Sequence, residues 1–143
     1  MKRRDLIAAG TLLALVRPTS ATPADMAAAI NTFTGGAKPH TGKVQFDIAQ
    51  LIDNGNAVPV TIAVDSPAEQ VRAIAIFTER NPQTEVAVFT LSPRSGKAEV
   101  STRIRLATSQ RLMAVARMSD GSYWAHGVDV IVALAACIEG EAP

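Results

Sequence analysis

The sequence predicts an all-β fold, an immunoglobulin-like antiparallel β-sandwich behind one short N-terminal helix. Three observations predict it. Val, Ile, Ala and Thr dominate the second half of the 143-residue chain, and β-branched side chains suit the pleated surface of a sheet. Apolar and polar residues alternate at period two over several separate stretches. Clusters of Asp, Asn, Gly, Ser and Pro interrupt those stretches at short intervals, the pattern of a many-stranded sandwich. The length fits one domain, and an apolar fraction of 48% supplies one core.

The first residues read as an address. Lys2, Arg3 and Arg4 precede an apolar stretch, Leu6 to Val16, that is shorter than the ~20 residues of a membrane span. Thr19-Ser20-Ala21 offers small residues for a signal peptidase, with cleavage expected after Ala21 or Ala24. Arg3-Arg4 before Asp5-Leu6-Ile7 fits a twin-arginine signal, and an ordinary Sec signal is the alternative. Residues 1–21 are therefore expected to be a signal peptide, residues 22–134 the sandwich with its leading helix, and residues 135–143 a C-terminal arm. Cleavage after Ala21 leaves ten cations against twelve acids, a net charge of −2.

The elements follow in order. Thr22-Pro23-Ala24-Asp25 is a helix start, with Thr at the N-cap, Pro at the first turn and an acid behind it. Met26, Ile30 and Phe33 form one helical stripe, which Gly35-Gly36 ends. After His40-Thr41-Gly42 the period becomes two, with Val44, Phe46 and Ile48 on one face. Asp53-Asn54-Gly55-Asn56 marks a turn. Val58, Val60, Ile62 and Val64 alternate next, and Pro59 places that strand at an edge or near its own start. Val71 to Thr78 is apolar on both faces. Asn81-Pro82 turns the chain into Val86–Leu91, and Ser92 to Gly96 is a loop. Val100, Thr102, Ile104 and Leu106 share a face of the following strand. Leu112 to Met118 comes next, then the turn Ser119-Asp120-Gly121-Ser122. Tyr123-Trp124 and the series Val128, Val130, Val132, Leu134 make a last strand pair.

Composition excludes several functions. The near-balanced charge (+1 over the full chain) and the absence of a basic block argue against nucleic acid. The two histidines, His40 and His126, sit at expected loops, and neither has a second ligand at metal-site spacing. No glycine-rich phosphate loop occurs. Arg103 and Arg105 alternate with Thr102, Ile104 and Leu106, so they project together from the face opposite the core. Two guanidinium forks there fit a solvated sheet face, or an anion or partner contact. Of the single Tyr and single Trp, Trp124 is expected in the core, which leaves Tyr123 for an interface.

Cys137 is the only cysteine. An exported chain meets oxidising conditions, where structural cysteines come in pairs. A lone thiol is buried and inert, paired with another molecule, or reactive. It lies six residues from the C-terminus, beyond the last expected strand.

Several stretches, in order, carry a family likeness. They are Asn54-Gly55-Asn56-Ala57-Val58-Pro59-Val60, Val64-Asp65-Ser66-Pro67, Asn81-Pro82, and Val86-Ala87-Val88-Phe89. Ser101-Thr102-Arg103-Ile104-Arg105-Leu106-Ala107 and Ala114-Val115-Ala116-Arg117-Met118-Ser119-Asp120-Gly121-Ser122 complete the set. Together they resemble the SoxY family of sulfur-oxidation carrier proteins. The resemblance implies an immunoglobulin-like sandwich in a heterodimer with a SoxZ-like subunit that is exported with it. It implies a periplasmic carrier, not an enzyme, without cofactor or metal and without a membrane or nucleic-acid partner. Thiosulfate and its oxidation products would be held covalently on a C-terminal cysteine, here Cys137, and processed by separate periplasmic enzymes. The family ends in Gly-Gly-Cys-Gly-Gly, whereas this chain has Ala135-Ala136-Cys137-Ile138-Glu139. That departure motivates a second reading, an interaction subunit that keeps the heterodimer interface without carrier chemistry. A stand-alone thiol enzyme would lack a resolving cysteine and a placed base.

Overall fold

The computed structural model describes residues 21–134. The expected signal peptide, apart from Ala21, and the expected arm with Cys137 lie outside the described residues.

Helix α1 (Pro23–Thr34) starts where its cap residues place it. Thr22 accepts from the Asp25 N–H at 3.2 Å, and the Asp25 carboxylate accepts the Thr22 N–H at 2.9 Å, a reciprocal capping box. Gly35, at φ 66°, ends the helix in the left-handed conformation that glycine adopts without a Cβ clash. Nine strands follow: β1 (His40–Thr41), β2 (Val44–Asp47), β3 (Leu51–Asn54), β4 (Val58–Val64), β5 (Val71–Thr78), β6 (Glu85–Thr90), β7 (Glu99–Ile104), β8 (Gln110–Met118) and β9 (Tyr123–Leu134). They form a six-stranded sheet ordered β1-β9-β8-β5-β6, with β3 also on β9, and a three-stranded sheet ordered β2-β4-β7.

The expected all-β sandwich with its leading helix is the observed fold. It differs from the expected pattern in three ways. Tyr123 to Leu134 is one twelve-residue strand instead of a pair, because Gly127 continues the strand beside Met113 and Arg111 instead of turning it. Two short strands, β1 and β3, were not foreseen, and both run parallel to β9 in an otherwise antiparallel arrangement. His40 and His126 are not loop residues but strand residues, in β1 and β9. Pro59 sits near the start of β4, the middle strand of its sheet. There β2 reaches only from Thr61 to Val64, so proline's missing N–H meets no ladder partner on that side.

Strand β5 explains the layering. From Ala73 to Thr78 every residue is buried. Ile74 and Ile76 face the three-stranded sheet and pack with Ile62, Leu106 and Leu112. Ala73, Ala75 and Phe77 face the other way and pack under Met26 and Phe33 of α1. The helix stripe is thus the cover of the large sheet's second face.

Arg117 holds that cover in place. Its guanidinium lies 4.4 Å from the Phe33 ring centroid and 5.9 Å from that of Tyr123. Its Nη2 donates to the Phe33 carbonyl at 3.1 Å, and its Nε donates to the Tyr123 hydroxyl at 3.3 Å. Phe33 meets Phe77 and Tyr123 edge-on at 5.8 and 6.0 Å. Tyr123, the aromatic left over for an interface in the sequence reading, is therefore engaged by the chain's own helix. The Arg117→Ala variant should lose roughly 1–3 kcal/mol of stability from these contacts. Urea unfolding measures the loss, and hydrogen exchange should quicken first across Pro23–Thr34. Unchanged exchange there would remove Arg117 as the clasp of the helix.

Candidate functional site

The described residues end at Leu134 of β9, three residues before Cys137 in sequence, so the candidate site is built from what holds that end. Strand β8 accompanies β9 only from Tyr123 to Val130. Beyond Val130 the strand overhangs its neighbour, and β3 takes over, pairing Leu51 with Ile131, Ile52 with Val132 and Asn54 with Leu134. Ile131 N–H donates to Gln50 O at 2.8 Å, and Gly55 N–H donates to Leu134 O at 2.8 Å. On the far side, Val132 N–H donates to Ser109 Oγ at 2.8 Å. The backbone is therefore hydrogen-bonded up to Leu134. Cys137 follows three residues later, within about 10 Å along an extended chain.

The turn Asp53-Asn54-Gly55-Asn56, legible in the sequence, is what ties this end down. Asn54 Oδ1 accepts from the Asn56 N–H at 3.0 Å and from Asn56 Nδ2 at 2.9 Å. The turn ties Gly55 to two segments at once: its N–H goes to Leu134 in β9, and its carbonyl accepts from the N–H of Leu106, just past β7, at 2.8 Å.

A buried amide pair shapes the opposite brace. Asn81 is 7% exposed and Gln110 6%. Asn81 Nδ2 donates to Arg105 O at 2.8 Å, and its Oδ1 accepts from Ala107 N–H and Gln110 Nε2, both at 2.9 Å. Gln110 Oε1 accepts the Arg80 N–H at 2.8 Å. These bonds fold the connection from Arg105 to Ser109 so that Leu106 meets Gly55 and Ser109 meets Val132. Among the described residues, no buried side-chain polar atom lacks a partner.

The residues singled out in the sequence fall as follows. Cys137 lies outside the described residues. Arg103, in β7, and Arg105, just past its end, are both exposed, on either side of the buried Ile104. Leu106, which follows Arg105, bonds Gly55, so this pair sits at the same end of the sandwich as the β9 overhang. His40 and His126 line one groove with Lys38 and Arg111. His126 Nδ1 lies 3.2 Å from Phe46 N and 3.1 Å from Val44 O, so it links β9 to β2 across the two sheets. Accepting from Phe46 N–H requires the tautomer with the proton on Nε2. His40 lies against Trp124 in a tilted arrangement, 5.0 Å between centroids with 41° between the ring planes, and Lys43 Nζ stands 5.2 Å over that indole. Trp124 is partly buried against the main core, as expected, and its Nε1 donates to Ser122 Oγ at 3.2 Å. Ser122 in turn donates to Asp120 through its hydroxyl at 2.6 Å and its N–H at 2.9 Å, and these bonds hold the Asp120 carboxyl below its ordinary pKa. Among the described residues, no three His, Cys, Asp or Glu side chains gather as a metal site.

Sequence reasoning missed the surface around the overhang. Leu51 is 68% exposed, Ile131 62% and Leu134 59%. The strand β3 that brings Leu51 there has four residues, too few to show a period.

The described residues define an immunoglobulin-like β-sandwich whose braced last strand leads directly into the segment bearing the one thiol. The chain belongs to the SoxY family: the family model described as sulfur oxidation protein SoxY matches residues 30–137. The fold is similar to the structure of the sulfur carrier protein SoxY from Chlorobium limicola f thiosulfatophilum. That match has 32% identity and a TM-score of 0.64, and covers 76% of this chain and 96% of that one. Two further structures share the fold alone. A superoxide reductase (neelaredoxin) from Ignicoccus hospitalis has 14% identity, a TM-score of 0.55 and coverage of 78% and 92%. The superoxide reductase from Nanoarchaeum equitans has 13% identity, a TM-score of 0.54 and coverage of 65% and 100%. No curated protein sequence matches the chain. Among the described residues, no helix is long and apolar enough to cross a membrane.

The Asn81→Ala variant should cost roughly 1–3 kcal/mol, because the Arg105 carbonyl and the Ala107 N–H lose their partner and Gln110 Nε2 keeps only the Thr108 carbonyl. Amide exchange at Ala107 and Val132 should accelerate more than at Ile74. Equal acceleration at all three would mean that the amide pair serves general stability and not the brace.

Proposed function

We propose that this chain is a periplasmic carrier that holds sulfur intermediates, thiosulfate and its oxidation products, covalently on Cys137. It works beside a SoxZ-like subunit and is served by separate sulfur-oxidation enzymes. The observation that carries the reading is the family match, which runs from inside α1 to Cys137 itself. The sole thiol of the chain thus coincides with the end of the shared sequence.

The chemistry suits a thiol. Cys137 Sγ, as thiolate, forms a bond to the outer sulfur of thiosulfate. Joining two such anions releases two electrons, which a partner redox enzyme accepts. The carrier supplies the sulfur nucleophile and a tether, and the enzymes supply oxidant and water. Exposed Arg103 and Arg105 are proposed partner contacts, because paired guanidinium forks on one sheet face fit carboxylates of a second subunit.

The second reading, an interaction subunit without carrier chemistry, is favoured by the sequence Ala135-Ala136-Cys137-Ile138-Glu139. Ile138 adds bulk beside the sulfur, and Glu139 and Glu141 place negative charge where anionic adducts would sit.

Intact mass spectrometry separates the two. Protein purified without reductant from thiosulfate-fed cells should carry sulfur or thiosulfonate adducts that vanish in Cys137→Ser. The variant should abolish thiosulfate oxidation while leaving the heterodimer intact. An unmodified mass with an accessible thiol, and oxidation that survives Cys137→Ser, would establish the interaction-subunit reading.

A further inference from the structure

We propose that the groove beside the middle of β9, between β1 and β3, binds a small tetrahedral oxyanion of the sulfate or phosphate kind on the guanidinium of Arg111. The site belongs to the folded domain, and it stands or falls independently of the chemistry at Cys137.

The topology opens this groove. Strand β1 pairs with β9 no further than Ala125, and β3 joins β9 only from Ile131. Between them the chain swings away as β2 to pair with β4 in the other sheet. The stretch of β9 around Gly127 is therefore left without a strand on that side. Lys38, His40, Arg111, Met113, His126 and Gly127 are among the residues that line the opening, and no Asp or Glu does. The grooves at Lys43 and Asp65, at Asp47 and Asp53, and at Lys97 and Glu99 each contain a carboxylate. This one differs from them in holding cations without an acid in its wall.

Two features fix the Arg111 side chain. Its Nη1 donates to both oxygens of Asp129, its register partner, at 3.2 and 3.3 Å. The rest of the guanidinium crosses Gly127, where a Cβ would stand 2.9 Å from Nη2 and 3.3 Å from Nε. Glycine is what gives it room to lie there. With Nη1 committed to the carboxylate, the edge formed by Nε–H and Nη2–H has no acceptor among the described residues. That edge is a fork whose two parallel N–H groups match two oxygens of an oxyanion. The side chain is 47% exposed, so an anion reaches it from solvent.

The other lining groups select the ligand's class. Lys38 brings a second full positive charge, while Asp129 offsets part of that on Arg111. His126 adds no free acceptor, because its Nδ1 takes the Phe46 N–H and its Nε2 then carries the proton. A carboxylate spends both oxygens on the fork. A tetrahedral oxyanion does the same and keeps further oxygens for the Lys38 ammonium. Charges this exposed attract weakly, so the site exchanges its anion readily.

The test titrates the full chain with sodium sulfate, thiosulfate or phosphate at constant ionic strength and follows backbone amide shifts. Half-saturation is expected at about 1 mM, with the largest shifts at Thr41, Ala125 and Gly127. Tighter binding of the sulfur anions or of phosphate names the source of the ligand. Sodium acetate should bind about fivefold more weakly than the best of them. Arg111→Lys keeps the charge and removes the fork, so it should raise the half-saturating concentration about tenfold. Gly127→Ala should displace the guanidinium and act in the same direction. Lys97→Gln removes a positive charge from another groove and should change nothing. Absence of saturation by about 50 mM overturns the proposal. An equal effect of Lys97→Gln also overturns it, as general charge attraction, and acetate binding as tightly as sulfate overturns the tetrahedral class. If Gly127→Ala does not fold, Arg111→Lys decides alone: wild-type affinity in that variant removes the fork as the site. None of these failures touches the carrier reading, which rests on adducts at Cys137.

Discussion

Burial of β5 on both faces is the constraint on which the rest of the molecule depends. A strand with apolar side chains above and below cannot lie on a surface, so the sheet around it needs two covers. The three-stranded sheet supplies one through Ile62 and its neighbours, and α1 supplies the other through Met26 and Phe33. Each cover is fastened by a polar device at its margin. Arg117 clasps the helix through the Phe33 carbonyl, and His126 ties β2 to β9 through the Phe46 amide. The apolar layers set the architecture, and a few directed hydrogen bonds fix where the covers sit.

The same economy governs the end of β9. Its last residues outrun β8, and an unpaired overhang would leave backbone groups without partners. Strand β3, the Gly55 turn and the Ser109 hydroxyl satisfy them instead. Asn81 and Gln110 stand behind that arrangement by folding the connection that delivers Leu106 and Ser109. A buried amide pair thus helps to fix where the last described residues of β9 lie.

Much of this was legible in the sequence, and the reasons differ by element. The helix was readable because capping chemistry is local: Thr22, Pro23 and Asp25 act within one turn. Strands β4 and β7 were readable because period two survives over six or seven residues, and β5 and β8 because they are apolar runs bounded by turn residues. Strands β1 and β3 were not, since two and four residues carry no period and their parallel partner lies far along the chain. The length of β9 was missed because Gly127 reads as punctuation, yet here it gives room to a crossing side chain. A Cβ at Gly127 would stand 2.7 Å from Met113 Sδ and 2.9 Å from Arg111 Nη2. For the site, the turn at Gly55 and the exposure of Arg103 and Arg105 follow from local pattern. The apolar cluster at Leu51 and Ile131 does not, because it exists only once β3 and β9 meet.

That meeting has a consequence for the order of events in the life of the chain. Leu51 and Ile131 are eighty residues apart in sequence, and their pairing closes one of the longest loops in the domain. Contacts of such separation form late, and this one waits until Ile131, eighty residues after Leu51, has left the ribosome. The platform at the end of β9 is thus among the last features to be completed. An export route that takes folded proteins would receive it already built. A route that threads extended chains would have to rebuild it on the far side of the membrane, with the C-terminal residues arriving last.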